Sequence, residues 1–250
     1  MARTDAIWAI AGCAALLGGC AAGFFGPLPE DVQLNNARGA EYETGRIATL
    51  EPQALAFAKA RATRESGSLH LKLSGGDVLN LQNGAGDCSL TAADCLHYIF
   101  TADLPARHAF LVLEARYEGG DWILIDDRTG MRTKLDAVPV FSPDNERLLI
   151  LSQNEAYGGF FGIEIWRRMG DAAVREWSHS LAGDAPEFGG AKASCPAETF
   201  AENAAWRGNR RIAFELHSSA SFGCAEASWP SLIEYGPGGW RLLTAWPRAR

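Results

Sequence analysis

Positive charge is scarce in this sequence: 23 Lys and Arg stand against 30 Asp and Glu, a formal net charge of −7. A nucleic-acid-binding domain needs a basic face, so no nucleic acid is expected among the partners. Catalytic signatures are missing as well. There is no Gly-x-Ser-x-Gly elbow, no Ser-x-x-Lys, no His-Glu-x-x-His, no Gly-x-x-x-x-Gly-Lys phosphate loop and no dinucleotide fingerprint ahead of a helix. The five histidines, His70, His97, His108, His179 and His217, are scattered, mostly in or beside predicted strands, where an imidazole is usually structural. After Ser68 no segment keeps a long helical period, which leaves strands as the main material of the chain.

What is present begins at the amino terminus. Met1 to Cys20 has Arg3, an apolar core from Ala6 to Leu17 and small residues at its end, the plan of a secretory signal, although Asp5 cancels the charge of Arg3. The core is too short and too rich in small residues to cross about 30 Å of hydrocarbon comfortably. Its last residues, Leu17-Gly18-Gly19-Cys20, resemble the lipobox of bacterial lipoproteins. That resemblance implies removal of residues 1–19, lipid on the thiol of Cys20 and, with Ala21 in place of Asp, retention at the outer membrane. Several acyl chains on one residue anchor a soluble domain stably. An ordinary cleaved signal or a short uncleaved anchor is the alternative. Residues 20–48 show no sustained period and read as a tether. Residues 49–66, with Leu50, Leu55, Phe57, several alanines and Pro52 in the first turn, read as one short helix. Residues 67–250 read as a single β-rich domain.

The chain has six cysteines. With Cys13 lost in the signal and Cys20 lipidated, Cys88, Cys95, Cys195 and Cys224 remain. An even number in an exported chain points to two disulfides, with three possible pairings. The local solution joins Cys88 to Cys95 and Cys195 to Cys224. Zinc is the rival for Cys88, Cys95 and His97, but common zinc pairs separate their cysteines by only roughly two to four residues. No metal and no cofactor are expected.

Strand signals recur in a pattern. Leu69 to Leu73 and Asp77 to Leu81 flank Ser74-Gly75-Gly76 as a hairpin. Three longer units follow, each with two strands, a loop, and two more strands. The first runs from Tyr98 to Leu135, the second from Val138 to Trp177, the third from Ala204 to Trp246. Four-stranded units of this size are the blade pattern of propellers. The stretch Phe141-Ser142-Pro143-Asp144-Asn145 resembles the Phe-Ser-Pro-Asp-Gly turn of TolB-like propeller repeats, with Asn145 where that family has Gly. Asn also tolerates a left-handed backbone, so the turn can survive. The implied fold is all-β, a propeller-like stack of three or four four-stranded antiparallel sheets with one short N-terminal helix.

The third unit is lengthened around Pro186 to Ala201 and around His217 to Pro230, the segments that hold Cys195 and Cys224. Long loops pinned by a disulfide are a candidate binding face; the equal alternative is that the bridge only offsets the entropy of two insertions. Trp229, in Ser228-Trp229-Pro230, and the cluster Arg207, Arg210 and Arg211 are its candidate partner-binding residues; for the arginines, edge protection of short strands is the plainer reading. Asp126 and Asp127 are adjacent on a predicted strand and should face opposite ways, which argues against an acid–base pair. No catalytic residue is assigned. The expectation is a lipid-anchored envelope binding or scaffold protein held to the membrane by its N-terminal lipid, with a protein or envelope-polymer partner. An inhibitor of lysozyme or another envelope-directed enzyme, and a hydrolase of envelope polymers, are the alternatives.

Overall fold

A computed structural model of the chain describes residues 30–39, 44–86, 88, 95–117, 119–153, 160–181, 199–218 and 227–244. The signal segment, Cys20, Cys195 and Cys224 lie outside the described residues.

Two helices come first, α1 (Glu30–Gly39) and α2 (Thr44–Ala58). The strands then form four antiparallel sheets, each laid down in chain order. Sheet I holds β1 (Ala62–Glu65), β2 (Ser68–Lys72) and β3 (Val78–Gln82). Sheet II holds β4 (His97–Leu104), β5 (Ala109–Arg116), β6 (Gly119–Asp126) and β7 (Arg132–Leu135). Sheet III holds β8 (Val140–Phe141), β9 (Arg147–Gln153), β10 (Phe161–Met169) and β11 (Ala172–Ser180). Sheet IV holds β12 (Thr199–Trp206), β13 (Arg211–Ser218), β14 (Ala227–Gly236) and β15 (Gly239–Thr244). The all-β, propeller-like expectation stands, with three four-stranded sheets and a smaller fourth one.

Side-chain alternation explains the stacking. On β5, Phe110 and Val112 face sheet I, where they meet Leu69, Leu71 and Leu81. Leu111 and Leu113 of the same strand face sheet III and join Leu148 and Ile150 of β9. Leu149, between those two, turns the other way to meet Ile212, Phe214 and Leu216 of sheet IV. A strand buried on both faces needs a continuous apolar run, which is why these two stretches do not alternate with polar residues. Core clusters join sheet I to sheet II, sheet II to sheet III and sheet III to sheet IV; among the described residues none joins sheet I to sheet IV.

Several expectations change. Residues 30–48 are not tether: α1 and the first turn of α2 occupy most of them. The short helix expected over 49–66 is α2, ending at Ala58, with Pro52 within it, and residues 62–65 are strand. That strand turns the predicted hairpin into a three-stranded sheet, in the register Leu69 opposite Leu81 and Leu71 opposite Leu79. In the third unit, β14 starts at Ala227, so Ser228-Trp229-Pro230 is strand and not loop. Pro230 lies opposite Glu215 but beyond the pairing of β15, which begins at Ser231, so its missing N–H breaks no bond on that side.

The turn between β8 and β9 matches its sequence reading. Asn145 has φ +58, the left-handed conformation. Its N–H donates to the Ser142 carbonyl at 2.9 Å, while the Ser142 hydroxyl donates to Asp144 at 2.6 Å and accepts from the Arg147 N–H at 2.9 Å. Cys88 and Cys95 form a disulfide with their Cα atoms 4.9 Å apart, so these thiols are spent on each other and the zinc reading fails.

Candidate functional site

The first strand of each large sheet is an inner edge with one row of backbone groups lacking a strand partner, and such edges must be finished somehow. On β4 the finish is a row of side chains. Asn83 accepts from the Tyr98 N–H at 2.9 Å and Arg64 donates to the Tyr98 carbonyl. Glu51 of α2 accepts from the Phe100 N–H at 2.7 Å. Gln33 of α1 accepts from the Asp103 N–H at 3.0 Å and donates to the Asp103 carbonyl at 3.3 Å. The polar sequence of α1 thus acts through backbone capping, with only Leu34 and Ala37 supplying buried apolar surface.

At this edge a half-buried arginine joins two buried carboxylates. Arg61 bridges Asp103 at 2.9 Å and Asp127 at 2.5 Å, and its guanidinium also lies 4.7 Å from the centre of the Phe110 ring. His108 approaches Asp127 at 3.5 Å. Burial, with Asp127 and Glu30 nearby, pushes the Asp103 carboxyl up to about 6 against the pull of Arg61. Asp126 faces elsewhere, as alternation requires: it binds Arg128 at 2.6 Å and caps the turn by accepting from the Arg128 and Thr129 N–H groups. Burial opposes its ionisation, but these bonds outweigh it and hold its carboxyl below the usual range.

The inner edge of sheet III is finished differently. β8 is two residues long. Arg38 of α1 donates to the Pro139 carbonyl at 3.2 Å and Trp206 of β12 donates to the Val140 carbonyl at 2.9 Å. Between α1, β8, the end of β9 and β12 a cavity of about 510 Å³ remains. Val138, Val140, Leu151, Ala201 and Ala204 supply apolar wall, and Asn35, Arg38, Gln153, Glu202 and Asn203 supply polar groups. Asn203 sits at φ +53 where the pairing of β12 with β13 shifts between Glu202 and Ala205, which bends the strand at the cavity. Volume and mixed lining fit an ordinary small-ligand site. Arg38 and Glu202 are the ionisable groups in the described lining, so among the described residues no paired carboxylates and no nucleophile beside a base face this space.

The candidates from sequence fall in two places. Trp229 is in the core between sheets III and IV, 3% exposed, so it is corrected from a surface residue to a packing residue. Its strand pairs with β13 there, opposite Leu216, which turns the indole inward. Arg207 and Arg210 are exposed on the turn between β12 and β13, and Arg211 is exposed at the start of β13. Arg211 pairs with Glu234 at 2.5 Å, Arg210 lies 5.8 Å from the Tyr235 ring, and Arg241 reaches Glu234 at 4.0 Å. The cavity escaped the sequence reading because its walls come from four distant segments. Among the described residues no cluster of His, Cys, Asp and Glu could hold a metal, and no helix is long and apolar enough to cross a membrane.

No protein-family model and no curated protein matches the chain. Among solved structures, a candidate TolB of Agrobacterium tumefaciens is similar over 70% of this chain at 14% identity and a TM-score of 0.29. This chain spans 59% of that protein's length. The fold rests on the sheets and their registers described above.

Proposed function

We propose that the chain is a lipid-anchored, envelope-facing binding protein without catalytic activity, and that it takes its ligand in the cavity between α1, β8 and β12. The cavity carries this reading: it has the volume and mixed lining of a binding site and lacks an acid–base pair among its described walls. The buried carboxylates that could serve an enzyme, Asp103 and Asp127, are committed to Arg61 and do not line it. The anchor half of the reading is supported by Leu17-Gly18-Gly19-Cys20, and the ligand is an envelope-derived molecule or an extended segment of an envelope protein.

Val140→Trp places an indole in the cavity. Native mass spectrometry of protein released gently from membranes should find a bound mass on the wild type and none on the variant, with thermal stability nearly unchanged. Equal occupancy in both, or none in either, removes the cavity as the binding site. Turnover of purified envelope polymer by the wild type would move the protein to the enzymes.

A further inference from the structure

The turn after every even-numbered strand lies at one end of the stack, and contacts stitch these turns together. Ser74 N–H donates to the Asp127 carbonyl and Asp127 N–H to the His108 carbonyl. Arg128 donates to the Gly170 carbonyl at 2.9 Å across sheets II and III. Arg147 stands 5.5 Å from the Tyr235 ring and 5.7 Å from the Trp240 ring, joining sheet III to sheet IV.

Charge is unevenly spread over this end. The sheet IV tip carries Arg207, Arg210, Arg211 and Arg241 against Glu234 alone. Among the described residues the Arg207 and Arg210 guanidinium groups have no carboxylate partner, in a chain whose formal net charge is −7. Arg210 is steadied on the Tyr235 ring, and Tyr235 itself is 36% exposed. Pre-organised guanidinium forks suit phosphate oxygens better than flexible ammonium groups do. Away from sheet IV at the same end, Asp31, Asp77, Asp144 and Glu146 are exposed. The end is therefore polarised, with attraction for anions concentrated at sheet IV.

The same end is where the chain joins the domain. The Glu30 carboxylate accepts from the Ala106 N–H at 2.6 Å and pairs with Arg107, which pins the first residue of α1 to the turn between β4 and β5. Cys20 is ten residues earlier. Fully extended, such a segment reaches about 35 Å at most. A lipid on Cys20 would keep this end within that distance of the bilayer.

We infer that the sheet IV tip, through Arg207, Arg210, Arg211 and Arg241, docks on the phosphate layer of an anionic lipid bilayer and orients the domain with its turn end toward the membrane. The inference deepens the anchored reading and uses it only to select a bilayer over other anions. An anionic surface attracts each arginine enough to change partition by about five-fold, and salt screens it.

The chain from residue 20 onward, carrying Cys20→Ser to remove the acyl anchor, is co-sedimented with vesicles of phosphatidylcholine alone or mixed with phosphatidylglycerol. Binding to the mixed vesicles only, reversed by high salt, is expected. Arg207→Ala with Arg210→Ala, which break no ion pair among the described residues, should weaken binding by about 25-fold, while Arg116→Ala at the opposite end leaves it unchanged. No preference for anionic vesicles, an unchanged affinity in the double variant, or tighter binding to polyaspartate or a carboxylated polysaccharide than to vesicles overturns the inference. Mass spectrometry of the wild-type amino terminus separately decides the anchor: an unmodified terminus with intact vesicle binding sinks the anchored reading and keeps the docking surface.

Discussion

The inner edges of sheets II and III come from the same kind of repeat and are finished in opposite ways. β4 is eight residues long and its outward backbone groups are met by Asn83, Arg64, Glu51 and Gln33. β8 is two residues long, and beyond the bonds from Arg38 and Trp206 its edge borders a cavity. An exposed edge invites pairing with other chains, so both solutions manage the same hazard. A buried carboxylate on a backbone N–H is structural, because removing it strands a desolvated donor. Long side chains around a void can exchange a backbone carbonyl or solvent for a ligand at little cost. The difference separates an edge fixed by side chains from one bordered by a cavity.

The fixed edge should show its buried charge in pH dependence, the largest effect expected here. Folding raises the Asp103 carboxyl from 3.8 to about 6. The folded chain therefore holds this proton more tightly than the unfolded chain. The sign follows: stability from this group is fully present below 3.8 and is lost as pH rises through about 6. Asp103→Asn removes the titration. Urea unfolding of wild type and variant across this window should show the wild type losing about 3 kcal/mol relative to Asp103→Asn as pH rises. Parallel curves would mean that Arg61 compensates the burial fully and that this edge is less strained than its geometry indicates.

A paired substitution sets the two edges directly against each other. Gln33→Leu leaves the N–H and carbonyl of Asp103 without their capping amide and should cost about 2 kcal/mol. Arg38→Leu removes the bonds to the Pro139 carbonyl and the Asn35 side chain beside the cavity, where water can replace them, and should cost less than Gln33→Leu, about 1 kcal/mol. Ligand occupancy should respond in reverse order, falling for Arg38→Leu and holding for Gln33→Leu. Equal costs would erase the distinction between a fixed and an exchangeable edge.

The same distinction explains what could be read from the sequence. Strands buried on both faces, such as those through Leu111 and Leu149, announce themselves by apolar runs, and the Leu69 to Leu81 hairpin by alternation and its glycines. The pairing of Cys88 with Cys95 followed from proximity along the chain. α1 was missed because its residues do their work through single long-range bonds: Gln33 to Asp103 and Arg38 to Pro139 have no periodic signature. The cavity was missed for the same reason. Trp229 was read as part of the lengthened segment from His217 to Pro230, whereas β14 begins at Ala227 and carries it into the core. The arginine cluster was seen in part, since Arg207, Arg210 and Arg211 are neighbours in sequence while Arg147 and Arg241 join them only in space.

The smallest expected effect concerns the turn that delivers β8 to the exchangeable edge. Asn145 occupies a left-handed conformation at φ +58, and β8 has only the register Val140 opposite Leu149 and Phe141 opposite Leu148 to hold it. Ala is disfavoured in that conformation by roughly 1 kcal/mol, whereas Gly adopts it freely. Asn145→Ala should therefore lower stability by about 1 kcal/mol and Asn145→Gly by much less. Hydrogen exchange at the Ser142 and Arg147 amides, which bond across the turn, should quicken in the alanine variant while exchange on β4 stays unchanged, because the strain is local to the short edge. If β4 loosens equally, the two edges are one cooperative unit, and the void between α1, β8 and β12 is as fixed as the capped strand beside it.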